Sequence, residues 1–312
     1  MTTTRETAVS ARRERWHQST LSTLLDGCSW QYFLAYVLEL DQGLKPAAAV
    51  GTAYHSAVEM REIARIEGRD VTLKELSAYA ADELAKVTDD PDLHTKLKAA
   101  VRNGYDHIFP YLDNYTPVSL EPEFTIPLVD GAKPIGGYID GVYRDDDGSI
   151  FLIDHKTAKD LSRWKDAEGH RHQAAMYSAA LVLSPDFPDV TELPEMRYLV
   201  VRTSRSSRAN FEPYRILTVR PDLEDIRVLG DRIRMAEQIV QQQSYKRTPE
   251  WVLCSATWCP YHEKCMVTGE LAGTPAQVTV RVEQSNGRTT PSATVRYSRE
   301  QSSEQTKEVN ND

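Results

Sequence analysis

Positive charge is in short supply: 37 Lys and Arg stand against 46 Asp and Glu, for a net charge of −9. A broadly cationic, phosphate-binding surface is excluded, so any nucleic-acid contact must rest on local clusters. Long apolar runs are missing too, and the polar start Met1-Thr-Thr-Thr-Arg5 has no apolar secretory core. This excludes a membrane partner on sequence grounds and predicts a cytoplasmic protein. No Gly-x-x-x-x-Gly-Lys-[Ser/Thr] loop occurs, so the chain does not hydrolyse ATP in that way, and any DNA unwinding would need a separate motor. Cysteine is scarce: Cys28, Cys254, Cys259 and Cys265 are all there is, with no Cys-x-x-Cys pair of a zinc ribbon. In a reducing compartment such thiols favour metal over disulfides.

What is present centres on Ile135-Gly-Gly-Tyr-Ile-Asp140-Gly-Val-Tyr and Ile150-Phe-Leu-Ile-Asp154-His-Lys156-Thr. The acidic run ending in Gly148 is turn chemistry, so the two stretches read as a hairpin. Pairing centred near Asp147 places Asp140 almost opposite Asp154, at roughly 5 Å between Cβ atoms. Lys156 shares the face of Asp154. Two carboxylates that close repel unless a cation lies between them. Upstream, Glu123-Phe-Thr-Ile-Pro-Leu-Val129 reads as a strand whose pairing through Asp130-Gly-Ala-Lys-Pro134 brings Glu123 opposite Asp140. Three hard carboxylates suit Mg²⁺ or Mn²⁺, bound together with substrate phosphates. The bland alternative is a cross-strand salt bridge, but Phe151-Leu152-Ile153 marks a central, buried strand, where unpaired acids are costly.

The pattern divides the chain into a flexible 1–17, a helical region 18–117 with a break at Thr88-Asp-Asp-Pro91, a sheet-bearing core 118–245, a cysteine-rich segment 246–269 and a disordered tail 270–312. Strands are expected at 123–129, 135–143, 150–157, 196–202 and 214–219. Helices are expected around Gln173 and over 223–243. Lys159, Arg163, Lys165 and Arg171 cluster just past the acidic hairpin as candidate nucleic-acid contacts, and Arg61, Arg65 and Arg69 recur on a helix. The four thiols could hold a cluster or a tetrahedral Zn²⁺, pair as a disulfide, or lie buried and free.

Together these motifs resemble the PD-(D/E)xK nucleases, specifically the RecB-like exonuclease branch. Gly137-Tyr-Ile-Asp140 and Asp154-His-Lys156 match its paired strands, Gln173-Ala-Ala-Met-Tyr177 its downstream helix, and Gly51-Thr-Ala-Tyr-His55 its upstream helix, over about Ser22 to Cys265. The resemblance implies an α/β, restriction-endonuclease-like mixed sheet flanked by helices. It implies that His55, Asp140, Asp154 and the backbone carbonyl of His155 hold Mg²⁺ or Mn²⁺. Lys156, Gln173, Tyr177 and Glu123 would then act on the phosphate or the attacking water. One early and three late cysteines resemble the iron-sulfur staple of AddB-type and CRISPR-associated relatives, implying a [4Fe-4S] cluster on Cys28, Cys254, Cys259 and Cys265; the longer Cys254–Cys259 spacing keeps Zn²⁺ as the alternative. The expected activity is hydrolysis at DNA ends in recombination, repair or phage replication, with a helicase or recombinase, or further copies of the chain, as partners. The alternative is a catalytically silent DNA-binding or assembly subunit.

Overall fold

The structure, a computed structural model, describes residues 14–250 and 252–269, together with the backbone of two strands at 277–285 and 288–296. Helix α1 (Gln18–Leu25) is followed by a short helix, Ser29–Tyr32, that runs on as a π-helical turn over Phe33–Val37. Helix α2 (Pro46–Ile66) opens with a proline in its first turn, where no intrahelical N–H is lost. Its buried residues Val50, Ala53, Tyr54, Ala57 and Val58 recur at three- and four-residue spacing and so form one packing face. Helix α3 (Leu73–Ala85) starts in a capping box: the Glu75 amide donates to the Thr72 hydroxyl and the Thr72 amide to the Glu75 carboxylate. Helix α4 (Pro91–Asn103) begins at the break marked in the sequence, with Asp90 accepting from the Asp92 amide.

Seven strands follow these helices: β1 (Thr116–Leu120), β2 (Glu123–Ile126), β3 (Ile135–Tyr138), β4 (Gly141–Arg144), β5 (Ile150–Ala158), β6 (Glu195–Arg202) and β7 (Tyr214–Val219). Five of them form a sheet in the order β1-β4-β5-β6-β7, antiparallel except for β5 against β6. That parallel pair needs a crossover, which helix α5 (Arg171–Leu183) supplies. Helix α6 (Leu223–Gln241) follows β7. Alternation along β5 sends Phe151 and Ile153 into a core shared with Tyr54 and Val58 of α2 and with Leu97 and Val101 of α4. Leu152, Asp154 and Lys156 face the other way. The result is the mixed α/β sheet with helical flanks expected from the sequence.

Three features depart from the expected outline. The strand expected over 135–143 is two strands. Among the strands β3 pairs with β2 in a separate ribbon, β4 joins the main sheet, and Ile139 and Asp140 lie between them. Glycines let the chain change direction here, because a side chain at Gly136 would run into Arg15 and one at Gly141 into the Tyr143 ring. Next, residues 14–17, expected within a flexible start, are held in place. Trp16 is 1 % exposed, pairs in parallel with Ile135 and donates from its indole to Glu237 at 2.8 Å. Residues 1–13 lie outside the described residues. Last, a hairpin of β8 (Gln277–Ser285) and β9 (Arg288–Arg296) occupies part of the tail expected to be disordered. Its sequence signals are the alternating Val278, Val280 and Val282 and an intervening Asn-Gly.

The chain forms two compact units whose boundaries differ from the expected ones. The helical region and the sheet belong together in a first unit, up to 21 and 43–238; residues 22–42 join those from 239 onward in a second. Within the second unit, the Ser29 hydroxyl donates to the Lys246 carbonyl at 3.1 Å and accepts from the Lys246 amide at 2.7 Å. Phe33 packs on both Trp30 and Tyr245, with ring centroids 4.9 Å apart in each case. Among the described residues, no helix is long and apolar enough to cross a membrane.

One polar strut holds α2 on the sheet. Glu62, 1 % exposed, is ion-paired with Arg61 and Arg65 and accepts from the Tyr143 hydroxyl of β4 at 3.0 Å. Arg61 also pairs with Asp113, and Arg69, which lies past the end of α2 and not on the helix as expected, pairs with Glu67 at 2.8 Å, so all three arginines are engaged within the protein. Removing one member of a buried ionic network leaves the others uncompensated. Glu62→Ala is expected to lower unfolding free energy by about 3 kcal/mol, read as a lower urea midpoint.

Candidate active site

Asp154 and His155 leave β5 on opposite faces, and the site is assembled where the two faces are bridged. The register Gly141–Ile153 continues to bring Asp140 level with Asp154, although Asp140 itself sits in the break between β3 and β4. From there the Asp140 Oδ2 accepts from the His155 amide at 2.7 Å, across the end of β4. On the α2 side, His55 projects over the same point. Its Nε2–H donates to the His155 carbonyl at 2.6 Å, and its Nδ1 lies 3.4 Å from Asp140 Oδ2. On the α5 side, Gln173 Nε2 donates to Asp154 Oδ1 at 2.6 Å, while Lys156 is ion-paired with Asp154 Oδ2. Asp154 is only 2 % exposed, and no hydrogen-bond donor satisfies its Oδ2 besides that ion pair.

The charges perturb one another as such crowding requires. Burial raises the Asp140 pKa and Asp154 adds to the rise, against the opposing pull of His55 and Lys156. For Lys156, burial works against the ammonium, but Asp154 and Asp140 outweigh it and its pKa is raised. Burial, followed by the charges of His55 and Lys156, depresses His155 well below the usual histidine range. Tyr177, one turn beyond Gln173, has its phenol pushed up by burial and by the Asp154 and Asp140 carboxylates, and its ring meets Phe124 edge-on at 5.7 Å. His55, Asp140, Asp154, Lys156, Gln173 and Tyr177 therefore share one neighbourhood.

Glu123 does not join them. Because the strand breaks after Tyr138, Glu123 pairs with Tyr138 instead of Asp140, and its carboxylate is ion-paired with Arg15 at 2.6 Å. That pairing holds its pKa down. Two residues upstream, Glu121 stands where Glu123 was expected: its amide donates to the Asp140 carbonyl at 3.3 Å. Glu121 has φ of 46°, a left-handed conformation uncommon for a glutamate. It lines one small cavity with His55, Glu59, Asp140 and His155, and burial, Glu59 and Asp140 raise its pKa. Face parity was legible in the sequence, since Glu121 and Glu123 are two apart, but the break that selects between them was not.

Of the basic residues past β5, Lys159, Arg163 and Lys165 are exposed and have no carboxylate at ion-pair distance among the described residues. Arg171 is otherwise engaged: its guanidinium donates to both Asp225 oxygens, at 2.9 and 2.6 Å, tying α5 to α6.

In the second unit, Cys28, Cys254, Cys259 and Cys265 line a single cavity, all as free thiols. Burial and neighbouring thiols raise Cys254 and Cys259; burial also raises Cys265, against the pull of Arg247. Cys28, distant in sequence from the other three cysteines, thus lines the same cavity as they do.

Residues 15–266 match the PD-(D/E)XK nuclease superfamily, and the chain belongs to that superfamily. Nucleases of this kind act on DNA and generally use divalent metals such as Mg²⁺ or Mn²⁺. Among solved structures, one titled "Crystal structure of SSO0001" is similar at 16 % identity, over 62 % of this chain and 79 % of that one, with a TM-score of 0.36. No curated protein matches the chain.

The donor chemistry fits such an ion. The Asp140 carboxylate, the His55 imidazole and the His155 carbonyl are in mutual contact, the Asp154 charge is felt at Asp140, and Asp154 Oδ2 is a buried, incompletely satisfied oxygen. Among the described residues no group of three or more His, Cys, Asp or Glu side chains, the four cysteines included, is placed to hold a metal ion by itself. Mg²⁺ does not demand one, since it keeps several waters and binds through one or two carboxylates plus substrate phosphates.

Proposed function

We propose that this chain is a Mg²⁺- or Mn²⁺-dependent deoxyribonuclease that trims DNA ends, working beside a helicase or recombinase in recombination, repair or phage replication. The observation that carries the reading is the neighbourhood of Asp140, Asp154, Lys156, His55 and the His155 carbonyl, joined by direct contacts and by their charges, in a chain of a nuclease family. Asp140, Asp154, His55 and that carbonyl would hold the ion, which supplies Lewis acidity and a water of lowered pKa. Lys156, kept protonated by two carboxylates, stabilises negative charge developing on the phosphate. Gln173 fixes the orientation of Asp154, and Tyr177 stays protonated as a hydrogen-bond donor toward the phosphate. The His155 amide orients Asp140 in the same way.

The four cysteines, gathered on one cavity in the second unit, would carry a [4Fe-4S] cluster, with Zn²⁺ as the other occupant of a tetrathiolate set. The test of function is release of nucleotides from end-labelled linear DNA by the full-length chain in Mg²⁺ or Mn²⁺. Circular DNA left intact supports end-trimming, and no release under either metal overturns the reading.

The two glutamates separate by measurement. Glu121→Ala is expected to weaken Mn²⁺ binding roughly tenfold in a calorimetric titration, the scale of losing a supporting carboxylate beside a metal site. Glu123→Ala, which removes an ion-pair partner of Arg15 away from Asp140, is expected to leave Mn²⁺ affinity unchanged.

A further inference from the structure

An aromatic ladder climbs away from the acidic site. Tyr198 on β6 stands level with Asp154 on β5 in the parallel register. The His170 ring lies 5.1 Å from the Tyr198 ring, and the Trp164 indole lies 4.4 Å from His170 with the two planes only 4° apart. The ladder is fixed from both ends: the Tyr198 hydroxyl donates to the His170 carbonyl at 2.9 Å, and Arg215 donates to the carbonyls of Leu161 and Trp164 at 3.1 and 2.5 Å. Trp164, its outermost ring, remains partly exposed.

Lys159, Arg163 and Lys165 are exposed and free of ion pairs with described residues. The same loop carries the exposed acids Asp160, Asp166 and Glu168, of which Asp160 accepts from the Ser162 amide at 3.0 Å and Asp166 from the Glu168 amide at 3.2 Å, so neither aspartate is ion-paired with the three cations. A flat, rigid, partly exposed indole between unpaired cations matches an unpaired base and its flanking phosphates. Every base offers a π-face, so such a platform tolerates sequence, whereas a paired base keeps its faces inside the duplex stack.

We infer that Trp164, backed by His170, is a stacking platform for a nucleobase of single-stranded DNA, and that Lys159, Arg163 and Lys165 hold the adjoining phosphates. The inference rests on the nuclease reading and specifies its substrate: a frayed or single-stranded end, delivered past Trp164 to Asp154. Preorganisation by Arg215 and Tyr198 keeps the ordering cost of binding low.

The test uses the full-length chain in buffer without added divalent cation, with fluorescence anisotropy of a labelled oligothymidylate and of a blunt duplex as readouts. Trp164→Ala is expected to weaken oligothymidylate binding roughly ten- to a hundredfold and to leave duplex binding unchanged, the range for losing one base–aromatic stack. Trp164→Phe keeps a ring, so it is expected to retain most of the affinity. It also removes the fluorophore, so the quenching of intrinsic tryptophan emission that oligothymidylate causes in the parent chain should largely disappear while binding persists. The second variant keeps the test open if alanine disturbs folding. Oligothymidylate affinity in Trp164→Ala within twofold of the parent, or quenching unchanged in Trp164→Phe, overturns the platform. A parent chain that cuts DNA while Trp164→Ala binds normally sinks the platform alone, whereas a parent that cuts no DNA sinks the underlying function.

Discussion

Lys156→Ala is expected to slow Mg²⁺-dependent DNA cleavage by roughly a hundred- to a thousandfold, the effect of removing one preorganised group aimed at developing charge. Asp154→Ala is expected to fall to background. The difference follows from what each side chain holds. Alanine at 154 removes a carboxylate proposed to hold the ion, deprives Gln173 of its acceptor and leaves Lys156 a half-buried ammonium without its principal counter-charge. Alanine at 156 leaves both carboxylates in place, with their mutual repulsion relieved less. A cation should therefore bind that variant at least as tightly as it binds the parent. Cleavage assays paired with Mn²⁺ titration check the pair: low activity with retained affinity for Lys156→Ala, low activity with lost affinity for Asp154→Ala. Parent-level cleavage by either variant would remove these residues from the chemistry.

Cys28→Ala is expected to abolish metal retention by the second unit. Cys28 is the single thiol supplied from the front of the chain; the other three lie within one short segment. A cross-link closing a loop of that length constrains the unfolded chain by roughly 5 kcal/mol in the loop-entropy picture. Its loss should therefore lower thermal stability as well as metal content. Anaerobic purification, iron and sulfide analysis and a visible spectrum provide the check. The parent is expected to be brown with about four irons per chain, and Cys28→Ala colourless. A colourless parent carrying one zinc ion would assign the tetrathiolate to Zn²⁺ instead.

Much of this architecture was written in short-range patterns. Capping residues, the Asp90-Pro91 start of α4 and the acidic turn before β5 each act through neighbours a few positions away, so they can be read without a structure. The Asp140–Asp154 proximity was legible for the same reason, because one hairpin fixes it. The tertiary features were not. The break after Tyr138 depends on what Gly136 and Gly141 meet in space, Arg15 and a tyrosine ring, and it alone decides that Glu121 and not Glu123 lies beside Asp140. Arg171 read as a phosphate contact because Asp225, its partner, is 54 positions away. Trp164 carried no signal in isolation; its role depends on His170 and Tyr198 arriving beneath it.

The discontinuous second unit also sets an order of assembly. Domains made on the ribosome fold as their residues emerge, front to back. The sheet and its helices are complete once residue 241 is available, but Ser29 waits for Lys246 and Cys28 for Cys254, Cys259 and Cys265. The front segment, with Trp30, Tyr32 and Phe33 destined for burial, therefore spends most of synthesis without the partners it has in the finished unit. Chains that stop short of residue 245 therefore lack the partners that Ser29 and Phe33 have in the finished unit.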